Sequence, residues 1–174
     1  NAPFVTHVFL SHMHNDHVLG LDSLLMGQRR SGGPALVPIY CTKPTWDQGV
    51  MKHFGYLVDP SSTWRQVGST AGAPESVQIP DLGIEMRVTA VPVWHGMIPQ
   101  GSVIWVIEFP SPAGQAPIKI VLGWDMLHLI PKYRVEDSDE KYTGASSDQE
   151  SLTGFHLAVL QDVCDLFLEG NTRY

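Results

Sequence analysis

Between residues 11 and 20 the chain reads SHMHNDHVLG, which places His12, His14, Asp16 and His17 within six positions. The cluster follows the β-branched and aromatic run FVTHVFLS (4–11) and precedes the leucine-spaced run HVLGLDSLLMGQ (17–28). A strand must therefore end where the cluster begins, and a helix must start where it finishes. Alternate side chains of an extended chain share a face, so His12 and His14 point the same way just past the strand end. Asp16 and His17 follow in the turn before the helix. Two pairs of ligands are thus offered to two neighbouring points. Imidazole and carboxylate suit zinc, and also manganese or iron; no thiolate is in the set. Without a metal, such packing carries like-charge and desolvation costs that nothing offsets.

The remaining chain supplies the frame. ALVPIYCT (35–42) reads as a second strand. Thr42 is placed to cap a helix with Pro44 in its first turn, running through WDQGVMKHF and stopping at Gly55. PSSTWRQVGSTAGAPES (60–76) reads as turns. VQI, IEMRVTAVPVWH (84–95), SVIWVIEF (102–109) and IKIVLGWD (118–125) read as strands, with PSPAGQAP (110–117) as a hairpin loop. EDSDEKYTGASSDQES (136–151) reads as an exposed acidic insertion, GFHLAVLQDV as a helix and CDLFLEG (164–170) as a last strand. The order predicts a mixed α/β (α+β) protein, one domain over 1–174, with sheet between helices.

Charge narrows the function. The formal net charge is -7, with 11 Lys and Arg against 18 Asp and Glu. Proteins that grip a nucleic-acid backbone usually carry a basic patch, and the only local cluster here is Arg29 and Arg30, read as a solvated helix end. Extended nucleic-acid binding is disfavoured. No apolar run reaches the ~20 residues of a membrane span. The N-terminal residues lack a signal-peptide pattern. Cys41 and Cys164 lie too far apart to suggest a disulfide framework, so a cytoplasmic setting is the default.

HMHNDH matches H-x-H-x-D-H and resembles the signature of the metallo-β-lactamase superfamily. With Gly20-Leu21 after it, the motif is most similar to the branch holding ribonuclease Z, the PhnP-type phosphodiesterases and the class II cyclic-nucleotide phosphodiesterases. The resemblance implies an αββα sandwich. It also implies a further zinc histidine after a strand, which VTAVPVWHG supplies as His95, and a bridging aspartate after the next, which IKIVLGWDM supplies as Asp125. The family usually has Gly-Asp there; this chain has Gly123-Trp124-Asp125. By the same resemblance His12, His14 and His95 hold one metal, Asp16 and His17 with a further histidine hold the second, and Asp125 bridges. That histidine and the family's first strands fall outside residues 1–174, so the chain reads as part of a longer domain. His128 is a poor substitute ligand.

Two divalent ions, zinc before manganese or iron, with two carboxylates and a bridging hydroxide leave a centre of about +1. Such a centre attracts a small anionic substrate and yields a nucleophilic hydroxide near neutral pH, which Asp16 can orient as the catalytic carboxylate. The expected function is a binuclear metal-dependent hydrolase of a phosphodiester, small or cyclic-nucleotide-like. The His95-Gly96 pair favours the cyclic-nucleotide branch. Ribonuclease Z fits less well, because Phe167-Leu168-Glu169 lacks the His-Glu pair of that family. The alternatives are hydrolysis of a lactone or β-lactam-like bond, and a non-catalytic binding protein of the same fold. The resemblance also allows a homodimer. His7, His53 and His156 are read as structural. Trp94 and Trp124 could wall the pocket or pack the core, and Glu169 could support a ligand.

Overall fold

Period-two alternation in the strand-like runs produces two sheets that share a core. The computed structural model describes residues 4–34, 36–67, 75–79, 83, 85–93, 95, 101–111, 115–125 and 165–168. A parallel sheet has the order β1 (Val8–Phe9), β2 (Ile39–Cys41), β3 (Trp64–Gln66). The second sheet runs β4 (Glu75–Gln78), β5 (Arg87–Pro92), β6 (Val103–Phe109), β7 (Ile118–Gly123) and β8 (Asp165–Leu168). Its strands are antiparallel except for the parallel β7–β8 pair. Register puts Ala90 opposite Trp105, and Trp105 opposite Leu122.

The pleat sorts side chains between layers. Tyr40, Val67, Val88, Ala90, Val103 and Trp105 fill the space between the sheets, with Phe9, Ile107 and Leu122 packed against them. Phe9 stacks on Tyr40 at 4.9 Å and meets Trp105 edge-on at 5.2 Å, which ties one sheet to the other. Ile39 and Cys41 point the opposite way, into a second cluster with Leu21, Leu25, Trp46, Val50 and Phe54 from the helices. On the far face of the second sheet lie Val91, Ile104, Val106 and Val121. The same face carries a cross-strand row in which Glu108 pairs with Arg87 at 3.4 Å and Lys119 at 3.5 Å.

Trp105 is 1% exposed, and its indole Nε1 has no hydrogen-bond partner among the described residues. Trp105→Ala should destabilise by about 3–5 kcal/mol, the usual range for a buried Trp. Trp105→Phe should cost clearly less, because it keeps a ring in the core and removes an unsatisfied donor. Urea melts of the two variants check the ranking; equal losses would remove the indole argument.

The helices depart from expectation in two places. The run predicted as one helix over 17–28 is broken into α1 (Asn15–Val18) and α2 (Leu21–Arg30). The helix from Thr42 to Gly55 exists as expected, with the Thr42 hydroxyl accepting from the Thr45 N–H. Its interior is not uniform: α3 (Lys43–Thr45) leads into a π-helical turn over Trp46–Val50, and α4 (Met51–Phe54) follows. The turn-rich reading of 60–76 needs correction. Asp59 caps a short α5 (Pro60–Thr63), which is followed directly by β3. Hydrogen bonds from Ser61 and Ser62 hold the Asp59 carboxyl below the usual carboxylate range. The acidic insertion and the helix expected at 154–163 lie outside the described residues.

Two glycines permit close approaches. Gly101 has φ 75°, and its carbonyl accepts from the Thr42 hydroxyl at 2.7 Å. A Cβ there would sit 2.6 Å from that same oxygen. At Gly49, inside the π-helical turn, a Cβ would sit 3.1 Å from the Cβ of Met13, so the helix presses directly on the His12–His14 segment.

Candidate metal centre

Three strand ends converge. The chain leaves β1 at Phe9 and stays extended, with Leu10 N–H donating to the Tyr40 carbonyl and Val103 N–H donating to the Ser11 carbonyl, each at 3.0 Å. These bonds anchor the approach to His12 on both sheets. His95 lies just beyond the end of β5, and Asp125 just beyond the end of β7. His14 occupies the cap position of α1 in an extended conformation, yet its ring makes no cap bond. It turns instead to His95, whose Nε2 lies 3.1 Å from His14 Nδ1.

All six predicted ligands meet at one place. His12, His14, His95 and Asp125 form one group, and Asp16, His17 and Asp125 form another; within each, one ligand atom per residue lies within 4.8 Å of the others. Asp125 belongs to both. Its Oδ2 is 3.0 Å from His17 Nε2 and 3.7 Å from His12 Nε2. His17 Nε2 is also 3.5 Å from Asp16 Oδ2. The rings crowd closely, with centroids from 4.1 Å for His12–His17 to 4.9 Å for His14–His95.

Burial sets the electrostatics. His12 is 0% exposed. Burial first, then the neighbouring His17, His95 and His14, push its imidazole down to about 3. His95 is lowered too, by burial and then by His14. Both rings are therefore neutral at physiological pH, the form that presents a lone pair. The Ser11 hydroxyl sits 3.0 Å from His12 Nδ1, while His12 Nε2 and His95 Nδ1 are buried with no hydrogen-bond partner among the described residues. A buried polar atom without a partner costs about 1–3 kcal/mol. A cation accepting these lone pairs would offset that cost, so the donor set fits a divalent metal.

Asp125 has φ 49°, the left-handed region. Aspartate tolerates that conformation better than most residues, and strain of this kind gathers at functional sites. The Trp124 that separates Gly123 from Asp125 packs half-buried against the inter-sheet core. The departure from Gly-Asp thus leaves the carboxylate in place. Asp16 is different: its side chain is 75% exposed, at the mouth of the site.

Some neighbours went unread in the sequence. Ser11 is adjacent to the motif, and a hydroxyl beside a ligand histidine is a signal that could have marked it. A cleft of about 320 Å³ opens beside the centre, and it is lined by Gln48, Lys52 and His53 as well as His14 and Asp16. No local signal marks those three. His128 and Trp94 lie outside the described residues, as does the side chain of Glu169. His7 lies just before β1, beside Tyr40, with ring centroids 5.9 Å apart.

Comparisons with known proteins bear on this arrangement. Residues 1–113 match the family described as the beta-lactamase superfamily domain. That span includes the motif and His95, and stops short of Asp125. Among solved structures, the chain is similar to MEM-A1, a subclass B3 metallo-beta-lactamase isolated from a soil metagenome library. The TM-score is 0.41 at 20% identity, and the match covers 68% of this chain and 41% of that one. No curated protein matches. By the family match over most of its length, and with the mixed α/β architecture described above, the chain belongs to the beta-lactamase superfamily.

Proposed function

We propose that this protein is a metal-dependent hydrolase of small phosphodiesters, with a site for two divalent ions. The carrying observation is the pair of ligand groups that share Asp125. His12, His14, His95 and Asp125 would hold one ion; Asp16, His17 and Asp125 would hold a second, with room for a further ligand. Bound there, divalent ions lower the pKa of water and offset the charge that grows on a phosphoryl group.

The chain's own residues do the rest. Ser11 fixes the His12 ring through Nδ1, which leaves Nε2 facing the centre. Four histidines and two carboxylates would leave two divalent ions with excess positive charge, which favours an anionic substrate over a neutral one. Asp16, open to solvent beside His17, can accept a hydrogen bond from an attacking water and aim it. A cleft of 320 Å³ admits one small molecule rather than a folded nucleic acid. The Gly20-Leu21 pair after the motif supports the phosphodiesterase branch. Zinc is the first choice of ion, with manganese or iron next.

Elemental analysis of the purified protein should return about two metals per chain. Hydrolysis of bis(p-nitrophenyl) phosphate should accompany it, stop on chelation and return when metal is restored. Turnover of a lactone or β-lactam without phosphodiester turnover would replace the substrate class. A protein that takes up no metal would be a binding member of the fold.

A further inference from the structure

The cleft beside the metal centre has a second wall that the ligand set does not use. One side is His14, Asn15 and Asp16; the other is Gln48, Lys52 and His53, from the π-helical turn and α4. The helix reaches this position through two local features. Gly49 lets its backbone approach Met13 so closely that an added Cβ would sit 3.1 Å from the Cβ of Met13, and one of the two would have to give way slightly. The π-helical turn then carries one extra residue, which changes the phase of everything after it. Gln48 and Lys52 are four apart and so share a face, turned to the cleft together with His53.

The wall is a set of donors. Lys52 is exposed and makes no ion pair among the described residues, whereas Lys43, three positions before the π-helical turn, is paired with Asp47. Gln48 adds an amide. Among the described residues that line the cleft, the only carboxylate is Asp16, which sits on the opposite side beside His17. With Asp16 committed to the metal centre, the charge left on the far wall is the Lys52 ammonium. A substrate held by its reacting phosphoryl group at one side would extend its remainder toward this cation.

We infer that Lys52, with Gln48 and His53, forms a recognition wall for a second anionic group, a phosphate or carboxylate, on the part of the substrate away from the bond being broken. This rests on the metal site of the preceding reading and adds the substrate feature that the site selects. The geometry excludes neither a linear nor a cyclic diester; it favours a molecule that carries two negative centres over one that carries a single one.

The test compares two unreactive probes, phenylphosphonate and 4-carboxyphenylphosphonate, which share one anchoring group and differ by one anion. Their dissociation constants are measured by calorimetry on the metal-loaded full chain. The wild type should bind the carboxylated probe roughly tenfold more tightly, the scale of one charge-assisted hydrogen bond partly open to water. Lys52→Ala should bring the ratio of the two constants close to one, and Lys52→Arg should restore most of it. Lys43→Ala, outside the cleft lining, should keep the wild-type ratio. A wild type with no preference, or a Lys52→Ala variant that retains it, overturns the inference. Loaded protein that shows the preference but no bis(p-nitrophenyl) phosphate turnover would instead sink the hydrolase reading and leave the wall standing.

Discussion

Asp125→Asn is expected to lower bis(p-nitrophenyl) phosphate turnover by roughly three orders of magnitude while leaving the protein folded. The carboxylate is common to both candidate ligand groups, so in the proposed two-ion site its loss would weaken the hold on both ions at once. Asparagine is the informative replacement because it tolerates the left-handed backbone that this position adopts, φ 49°. An alanine would mix backbone strain with ligand loss. The metal content of Asp125→Asn should fall below that of the wild type under the same dialysis. A variant with two firmly held metals and near-normal turnover would show that Asp125 does not join the two groups.

The second large effect combines opposite signs. His12→Leu should abolish turnover, yet stabilise the chelated protein by about 1 kcal/mol at neutral pH. His12 is wholly buried with one nitrogen unpartnered, so metal-free protein holds a desolvated, unsatisfied acceptor. Leucine removes that penalty, although the buried Ser11 hydroxyl loses its contact with Nδ1 and takes back part of the gain. The effect should grow in acid. The folded-state pKa of His12 is lowered to about 3, against an ordinary 6.5, so between those values the unfolded chain binds a proton that the folded chain refuses. Stability from this group is therefore complete above pH 6.5 and declines as pH falls through the window, with a slope approaching about 1.4 kcal/mol per unit. His12→Leu should flatten that part of the profile. Urea melts of chelated protein from pH 7 to 5 measure both; a less stable variant at pH 7, with an unchanged slope, would show that His12 is comfortable where it lies.

Much of this was legible in the sequence, for physical reasons that differ by residue. The strands of the second sheet follow from alternation, because each buries one face between the sheets and the other beneath it. The candidate ligands at positions 12 to 17 were legible because they lie side by side in the chain. His95 and Asp125 were legible through the family resemblance, which implies a histidine and an aspartate after successive strands; each here follows an apolar strand. What failed is as specific. Pro60, Ser61 and Ser62 look like turn formers, yet the same residues suit the first turn of a capped helix, and Asp59 decides between the two. β3 is three residues long and owes its existence to pairing with β2, a partner more than twenty positions away. The break between α1 and α2 leaves no mark in the leucine spacing. His53 looked structural because its approach to His14 depends on a backbone contact at Gly49 and on one extra residue in a helical turn, neither of which periodicity reports.

That extra residue has a consequence for how such a protein could change. Closing the π-helical turn over Trp46–Val50 to an ordinary α-turn, with every residue kept, would rotate α4 by about 100° about its axis. Lys52 and His53 would leave the cleft and other side chains would enter it, while the loop that bears His12, His14, Asp16 and His17 would keep its sequence. The chemistry and the choice of what undergoes it would then sit on separately adjustable parts of the chain, the first fixed by residue identity and the second by helical phase. A lineage could change what the cleft admits by altering the helical turn alone, without a single substitution among the six candidate ligands.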